Sequence, residues 1–256
     1  MKQETEKIVV LVRATPEESK KHGYLVCVAG INEQGEFRRV YPFEFSYGEK
    51  LIDFKKRDRI EVVLTESDND QRKESRKQIS YQNLHAPIED EELRNLLRSK
   101  LSSIEKLKEE NASLGVLKPE LLDVKIEINS TEIYDKQQYF NLMGDYLVEN
   151  LVEKREKVKM PVELRYHFRC KNDPTCKGHQ IILLDWELNE LARNIMRTDT
   201  DPISIEEKVR NKFFDFMKER DLYFVMGTHF RFKTLMIIGI FYFKKKDEKQ
   251  KNLLDF

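Results

Sequence analysis

The sequence is poor in cysteine, with 3 in 256 residues, two of them close together. That excludes a disulfide framework and fits a reducing, cytoplasmic compartment. Net charge is missing too: 46 Lys+Arg balance 46 Asp+Glu. Bulk attraction therefore cannot hold nucleic acid, and any such binding needs a local patch. No apolar run approaches the roughly 20 residues that span a bilayer, and the longest, 235–243, reads as a buried strand. No membrane association is expected. Residues 1–7 are mostly charged and lead into a strand, so no secretory leader is expected either. Dinucleotide and phosphate-binding glycine loops, Gly-x-Ser-x-Gly, His-Glu-x-x-His and the zinc deaminase order are all absent. No internal repeat is visible.

What is present folds. Charged residues make up 36% and hydrophobic ones 39%, a balance that excludes wholesale disorder. The opening is β-rich: apolar runs at 8–12 and 24–31, a hairpin-type turn at Asn32-Glu33-Gln34-Gly35-Glu36, a returning strand at 37–41 and a β-branched strand at 59–65. Short strands at this spacing predict a small β-barrel or strongly twisted sheet over 1–86. Residues 67–78 are a mixed-charge stretch without an apolar side chain. From 90 to 110, apolar residues at 93, 96, 97, 101, 104 and 107 share one helical face and predict a helix within a connector over 87–119. Residues 120–256 alternate in period. Strands are expected at 122–128 and from Pro161 to about Cys170, with a final pair at 222–226 and 234–243. Helices are expected at 137–153, at 186–196 behind an Asp185 cap, and at 205–219. The fold class is α+β: an N-terminal barrel, then an α+β domain.

The most chemical stretch runs from His167 to His179, with two cysteines and two histidines in thirteen residues. Zinc takes thiolate and imidazole donors in a tetrahedron, and a turn containing Asp173-Pro174 and Lys177-Gly178 lets the backbone curl around an ion. Cys170, Cys176 and His179 form the core ligand set of one structural zinc in a zinc-knuckle-like loop. His167 is a weaker fourth: strand alternation puts Val162, Leu164, Tyr166, Phe168 and Cys170 on one face and His167 on the other. The last donor is then a carboxylate, another histidine or water.

A second cluster is aromatic and basic. Phe37, Arg39, Tyr41, Phe43, Phe45 and Tyr47 share one side if the segment stays extended, and Phe54, Lys55, Lys56, Arg57 and Arg59 follow. Rings stack on unpaired bases and cations hold the backbone, which suits a single-stranded nucleic-acid platform; the competing use is core packing around Pro42. Asp70, Arg72 and Glu74 alternate along the charged stretch, and His229 sits in the last hairpin beside Arg231.

Certain of these runs also carry a resemblance. Val26-Cys27-Val28-Ala29-Gly30-Ile31, then Gly35-Glu36-Phe37-Arg38-Arg39-Val40-Tyr41-Pro42, resembles the opening of a family of uncharacterised prokaryotic proteins with a Cys-x-Ala-Gly strand and an Arg-x-Tyr-Pro strand. Phe168-x-Cys170, Cys176-x-Gly178-His179, Asp185-Trp186-Glu187 and Asp221-Leu222-Tyr223-Phe224 match as well, whereas Lys73 stands where that family has proline. More distantly, the opening is similar to proteins described as containing dual OB domains, which are proposed to recognise nucleic acid or nucleotides in prokaryotic conflict systems. The resemblance implies an OB-like first domain and a zinc-bearing second one.

The expected function is a nucleic-acid-binding accessory module with a structural zinc, acting beside an effector protein or within a defence or mobile-element system. Arg39, Tyr41, Lys55 and Arg57 are its contact residues. One rival is a metal-dependent nuclease using Asp185, Glu187 and Glu190; another is a nucleotide sensor with the ligand inside the barrel.

Overall fold

Alternation normally leaves one side of a strand for water, but the first two long strands have no side to spare. The computed structural model describes residues 3–14, 17–19, 23–45, 52–67, 70–128, 162–228 and 233–245. In β1 (Glu4–Arg13) Ile8 and Val10 point into one core, while Leu11 and Val12 point into another. In β3 (Gly23–Asn32) Val26 and Val28 face the first core, and Ala29 and Ile31 the second. Burial on both faces is why these runs read as continuously apolar. A short strand, β2 (Glu17–Ser19), pairs with β3 at the margin.

β4 (Phe37–Phe45), β5 (Arg59–Glu66) and β6 (Ser75–Asn83) complete a closed ring of five strands, in the order β1-β5-β6-β4-β3 and back to β1. All neighbours are antiparallel except β4 and β6, which run parallel through Arg39–Ser75, Val40–Arg76 and Tyr41–Lys77. Strand β6, unannounced by its polar sequence, fully buries only its ends, Ser75 and Asn83, with Tyr81 half-buried between them. Inside the ring Phe43, Phe54 and Tyr81 meet edge to face, with centroids 5.2–5.3 Å apart. Between β3 and β4, Gly35 takes φ +75° to close the turn.

The helix expected over 90–110 is two helices, α1 (Asp90–Ser99) and α2 (Ile104–Glu109). The break falls where Ser103 turns its hydroxyl to cap the Lys106 N–H and Leu101 bridges to Val116. Then β7 (Leu114–Leu117) and β8 (Pro119–Ile128) follow with only Lys118 between them. β9 (Val162–Cys170) pairs with β8, and β10 (His179–Ile182) with β9. α3 (Trp186–Met196) starts at an Asp185 cap and α4 (Pro202–Arg210) at an Asp201 cap. α4 continues through a π-helical turn (Asn211–Asp215), where the buried Tyr166 hydroxyl donates to the Phe213 carbonyl, into α5 (Phe216–Lys218). β11 (Arg220–Thr228) and β12 (Leu235–Lys244) pair as expected, and β11 also pairs with β7. The helix expected at 137–153 lies outside the described residues.

The strands after α2 form two three-stranded sheets, β8-β9-β10 and β7-β11-β12, which one bridge and the chain through Lys118 join into a second ring. Leu183, just past β10, bridges in parallel to Ile237 of β12, and the Leu184 N–H donates to the Ile237 carbonyl at 2.8 Å. With β7 and β8 taken as one bent strand, the second ring repeats the first. The order around it is first, second, third, fifth, fourth; only the third and fifth strands run parallel. The first strand gives its early half to the fourth strand and its late half to the second. The repeat is one of topology, with no echo in the sequence, and it gives the α+β half a closed sheet.

The rings share a wall. Leu11, Val12, Ala29 and Ile31 of the first meet Leu114, Val116, Tyr223, Val225, Phe241 and Phe243 of the second, with Leu93 and Leu97 of α1 sealing the edge. A Cβ at Gly239 would stand 3.0 Å from Val12 Cγ2, so glycine lets the two sheets approach there. No helix among the described residues is long and apolar enough to cross a membrane.

Candidate metal centre

Along β9 the even positions are buried and the odd ones lie outward, so Cys170 ends the strand pointing inward. The chain then turns through Asp173, whose N–H donates to the Cys170 carbonyl and whose carbonyl accepts from the Cys176 N–H, both at 3.1 Å. Gly178 has φ +104°, a conformation that side chains resist. This curl aims the Cys176 sulfur back at Cys170, whose N–H donates to it at 3.3 Å, and brings His179 Nε2 to 3.2 Å from the same sulfur.

A fourth group arrives from α2. Glu105 Oε1 lies 3.3 Å from His179 Nε2, and its Oε2 is buried without a hydrogen-bond partner. One donor atom from each of Glu105, Cys170, Cys176 and His179 falls within 4.8 Å of the others. Bond lengths of about 2.0–2.3 Å place tetrahedral zinc donors about 3.3–3.8 Å apart, so small side-chain rotations close the set. Burial, with Cys176 beside it, pushes the Cys170 thiol up to about 12 against the backbone N–H of Ile104. A protonated thiol there needs a cation to become a ligand. The Asn172 amide donates to the Ser102 carbonyl at 2.9 Å and fastens the turn to the start of α2. A cleft of about 400 Å³ lies against the turn, with Arg169, Lys171, Asp173 and both cysteines among its walls.

His167 stands outside this cluster. It lies on the outward face of β9, between Asp123 and Gln180 in register, and its Nε2 would be 3.3 Å from a Cβ on Gly178. Glu105 fills the remaining corner. Nothing in the local spacing announced it, because it comes from the segment joining the two rings.

Of the residues expected at a nucleic-acid interface, Arg39 and Arg57 make contacts at the seam between the rings and Tyr41 and Lys55 are exposed. The aromatic row changes phase at Tyr41-Pro42, where Val28 faces Val40 but Val26 faces Phe43. Phe43 is thereby turned into the core, and Tyr41 stays outside at 40% exposure. Arg39 reaches across the shared wall to the Ser113 carbonyl at 3.2 Å. Arg57, at φ 81°, pairs with Asp90 and covers the Phe243 ring. Lys55 is exposed. Side chains of Phe45 and Tyr47, and all of His229 and Arg231, lie outside what is described.

Sequence reasoning placed Lys56 in the basic cluster and did not foresee its partner. Its ammonium reaches Asp185 Oδ2 at 3.0 Å, the Ile240 carbonyl at 3.0 Å and Glu187 Oε1 at 3.2 Å. Asp185 also accepts from the N–H groups of Glu187 and Ile240, at 3.1 and 2.9 Å. The Asp185 carboxylate is thus a buried strut between the rings, already filled with donors, and the Glu190 side chain is not described. The alternating Asp70, Arg72 and Glu74 serve the same seam: Arg72 grips Asp70 and donates to the Thr228 carbonyl at 3.0 Å, and Glu74 accepts from the Ser113 hydroxyl.

Among solved structures, the chain is similar to a murine DNA-binding protein bound with double-stranded DNA, at 9% identity over 96% of this chain and 98% of that one, TM-score 0.32. It is also similar to a deletion mutant of the single-stranded DNA-binding protein from Thermus aquaticus, at 10% identity over 97% and 96%, TM-score 0.21. Both scores fall below the level at which two folds are taken as shared. No curated protein matches the chain. Residues 4–103 match a profile described as Domain of unknown function (DUF8758). Residues 94–255, more than half the sequence and including all four donors of the centre, match another, so the chain belongs to the family described as Domain of unknown function (DUF8757).

Proposed function

We propose that the protein is a nucleic-acid-binding module built from two OB-type barrels, the second stapled by one structural zinc. The observation that carries this reading is the ring order common to both halves, a five-stranded closure with one parallel seam. That is the arrangement of the OB barrel, whose second and third strands present a face to single-stranded nucleic acid. In the first barrel that face is covered by the second barrel. In the second barrel the outward side of β8, β9 and β10 carries exposed Lys125, Arg165, Arg169 and Gln180. Tyr41 and Lys55 add exposed groups on the first barrel, while Arg39 and Arg57 serve the seam. The zinc reading is supported by the soft donor set and by the orphaned, buried Glu105 oxygen. A zinc held by four protein side chains leaves no open position, which makes it structural. The nuclease reading draws no support from Asp185, whose oxygens are taken by Lys56 and two backbone N–H groups. An effector partner and a defence setting remain part of the proposal through the family resemblance alone.

Fluorescence anisotropy with labelled single-stranded and duplex oligonucleotides at two salt concentrations tests the binding. Salt-sensitive association with the single strand is expected, and its absence removes the proposal. Elemental analysis of the purified chain tests the metal, with one zinc per chain expected.

A further inference from the structure

The turn that gathers the donors also carries three cations, Arg169, Lys171 and Lys177. They alternate with Cys170, Cys176 and His179, and since the donors point inward the cations point out. All three are exposed, and none forms an ion pair among the described residues. Their neighbours do pair: Arg165 holds Glu163 at 2.8 Å, and Arg210 reaches Asp123 at 3.3 Å. The equivalent turn of the first barrel has the opposite sign: Glu33 and Glu36 are exposed, and the buried Arg38 is shared between Glu36 at 2.5 Å and Glu6 at 2.7 Å. Two turns at one place in one topology thus differ in charge, and the cationic one borders the cleft of about 400 Å³. Of the acids in that cleft, Asp173 is turned aside to accept from the Thr175 N–H and hydroxyl at 3.0 and 2.7 Å; Glu120 faces Arg169 across the strand pair.

We infer that Arg169, Lys171 and Lys177 form a phosphate-gripping tip that receives the backbone of a single nucleic-acid strand. The inference rests on the nucleic-acid reading above and names its contact point. One tight turn presents its cations over the reach of a few nucleotides, and a recess, not a broad flat stripe, adjoins them; both suit one strand over a duplex. Contact is ionic, because the outward row of β9 is Glu163, Arg165, His167 and Arg169, without a ring to stack on bases other than the imidazole. The donors hold the turn's shape, so the metal sets the spacing of the cations.

The test is anisotropy with fluorescein-labelled oligothymidylate and a mixed-sequence duplex, on the zinc-loaded full chain. The triple variant Arg169→Ala, Lys171→Ala, Lys177→Ala is expected to weaken single-strand binding by more than tenfold. Its log K against log salt slope should be shallower by about 2, since each single-strand phosphate contact contributes about 0.7. Lys73→Ala with Lys77→Ala, on the exposed rim of the first barrel, is expected to leave affinity within twofold. Zinc content equal to wild type shows that the turn is intact in the triple variant. Wild-type binding that survives the triple variant overturns the inference and leaves nucleic-acid binding standing. Tighter binding to duplex overturns the choice of ligand, and a wild type that binds neither probe removes both readings.

Discussion

The two barrels are wound in the same order yet differ in how firmly their own strands close them. In the first, the parallel seam joins three residue pairs, β4 is nine residues long, and an aromatic triangle fills the interior. In the second, the third strand is only four residues and its parallel seam is a single bridge, Leu183–Ile237. Three helical segments cover that barrel between its third and fourth strands, and the donor cluster sits at the free end of its weakest hairpin. A short strand with few ladder bonds frays. In the zinc reading proposed above, a metal holding Cys170 at the end of β9 to His179 at the start of β10, and both to Glu105, would supply what the ladder lacks.

The strongest way to break this contrast is to remove the staple. Cys176→Ser, or chelation of the wild type, is expected to abolish stoichiometric zinc and to cost on the order of several kcal/mol. Hydrogen exchange would read the asymmetry: amides of β9 and β10 should lose protection while those of β1 and β3 keep theirs. Equal loss in both barrels would erase the distinction. Next in size are the cores, where the barrels should behave alike. Phe54→Ala and Phe168→Ala, both fully buried, should each cost about 3–5 kcal/mol by denaturant titration.

Lys56→Met addresses the strut between the barrels. It leaves the Asp185 carboxylate, 5% exposed, without its cation, and a loss of about 3 kcal/mol is expected. Lys56→Met together with Asp185→Asn should recover part of it. The smallest effect concerns Asp221. Burial alone would raise its pKa, but the Lys118 ammonium, the Tyr223 hydroxyl and Arg98 hold it below the ordinary value. A carboxylate depressed in the folded state adds stability above its unfolded value, near 4, and gives it up as pH falls through the folded value. Asp221→Asn should therefore be less stable than wild type at neutral pH, with the two curves converging in acid.

Much of this was readable in the sequence. Period-2 alternation in 162–170 separated Cys170 from His167, and that separation holds in the structure. Asp185 announced its helix, and the apolar runs announced their strands. Other features had no local signal. β6 is polar because only its ends are fully buried, so its pattern resembles a loop. The 90–110 stripe was read as one helix because the apolar spacing continues through Ser102-Ser103, where the hydroxyl cap interrupts the backbone. The aromatic row was expected on one face, and an irregularity in pairing at Tyr41-Pro42, invisible to alternation, split it. Glu105 and Lys56 act on residues far along the chain, and such meetings are made by ring closure. The common topology of the halves was hidden for the same reason: pairing order leaves no trace in residue spacing.

The wall between the barrels has a consequence for anyone dividing the protein. Severing the polypeptide between α1 and α2 would bare two oily scars, one bearing Leu11, Val12, Ala29 and Ile31, the other Val116, Val225 and Phe241. Neither fragment could shelter its scar alone. Made separately they would clump, and made side by side they would find each other and knit, so that split halves would serve as a complementation pair.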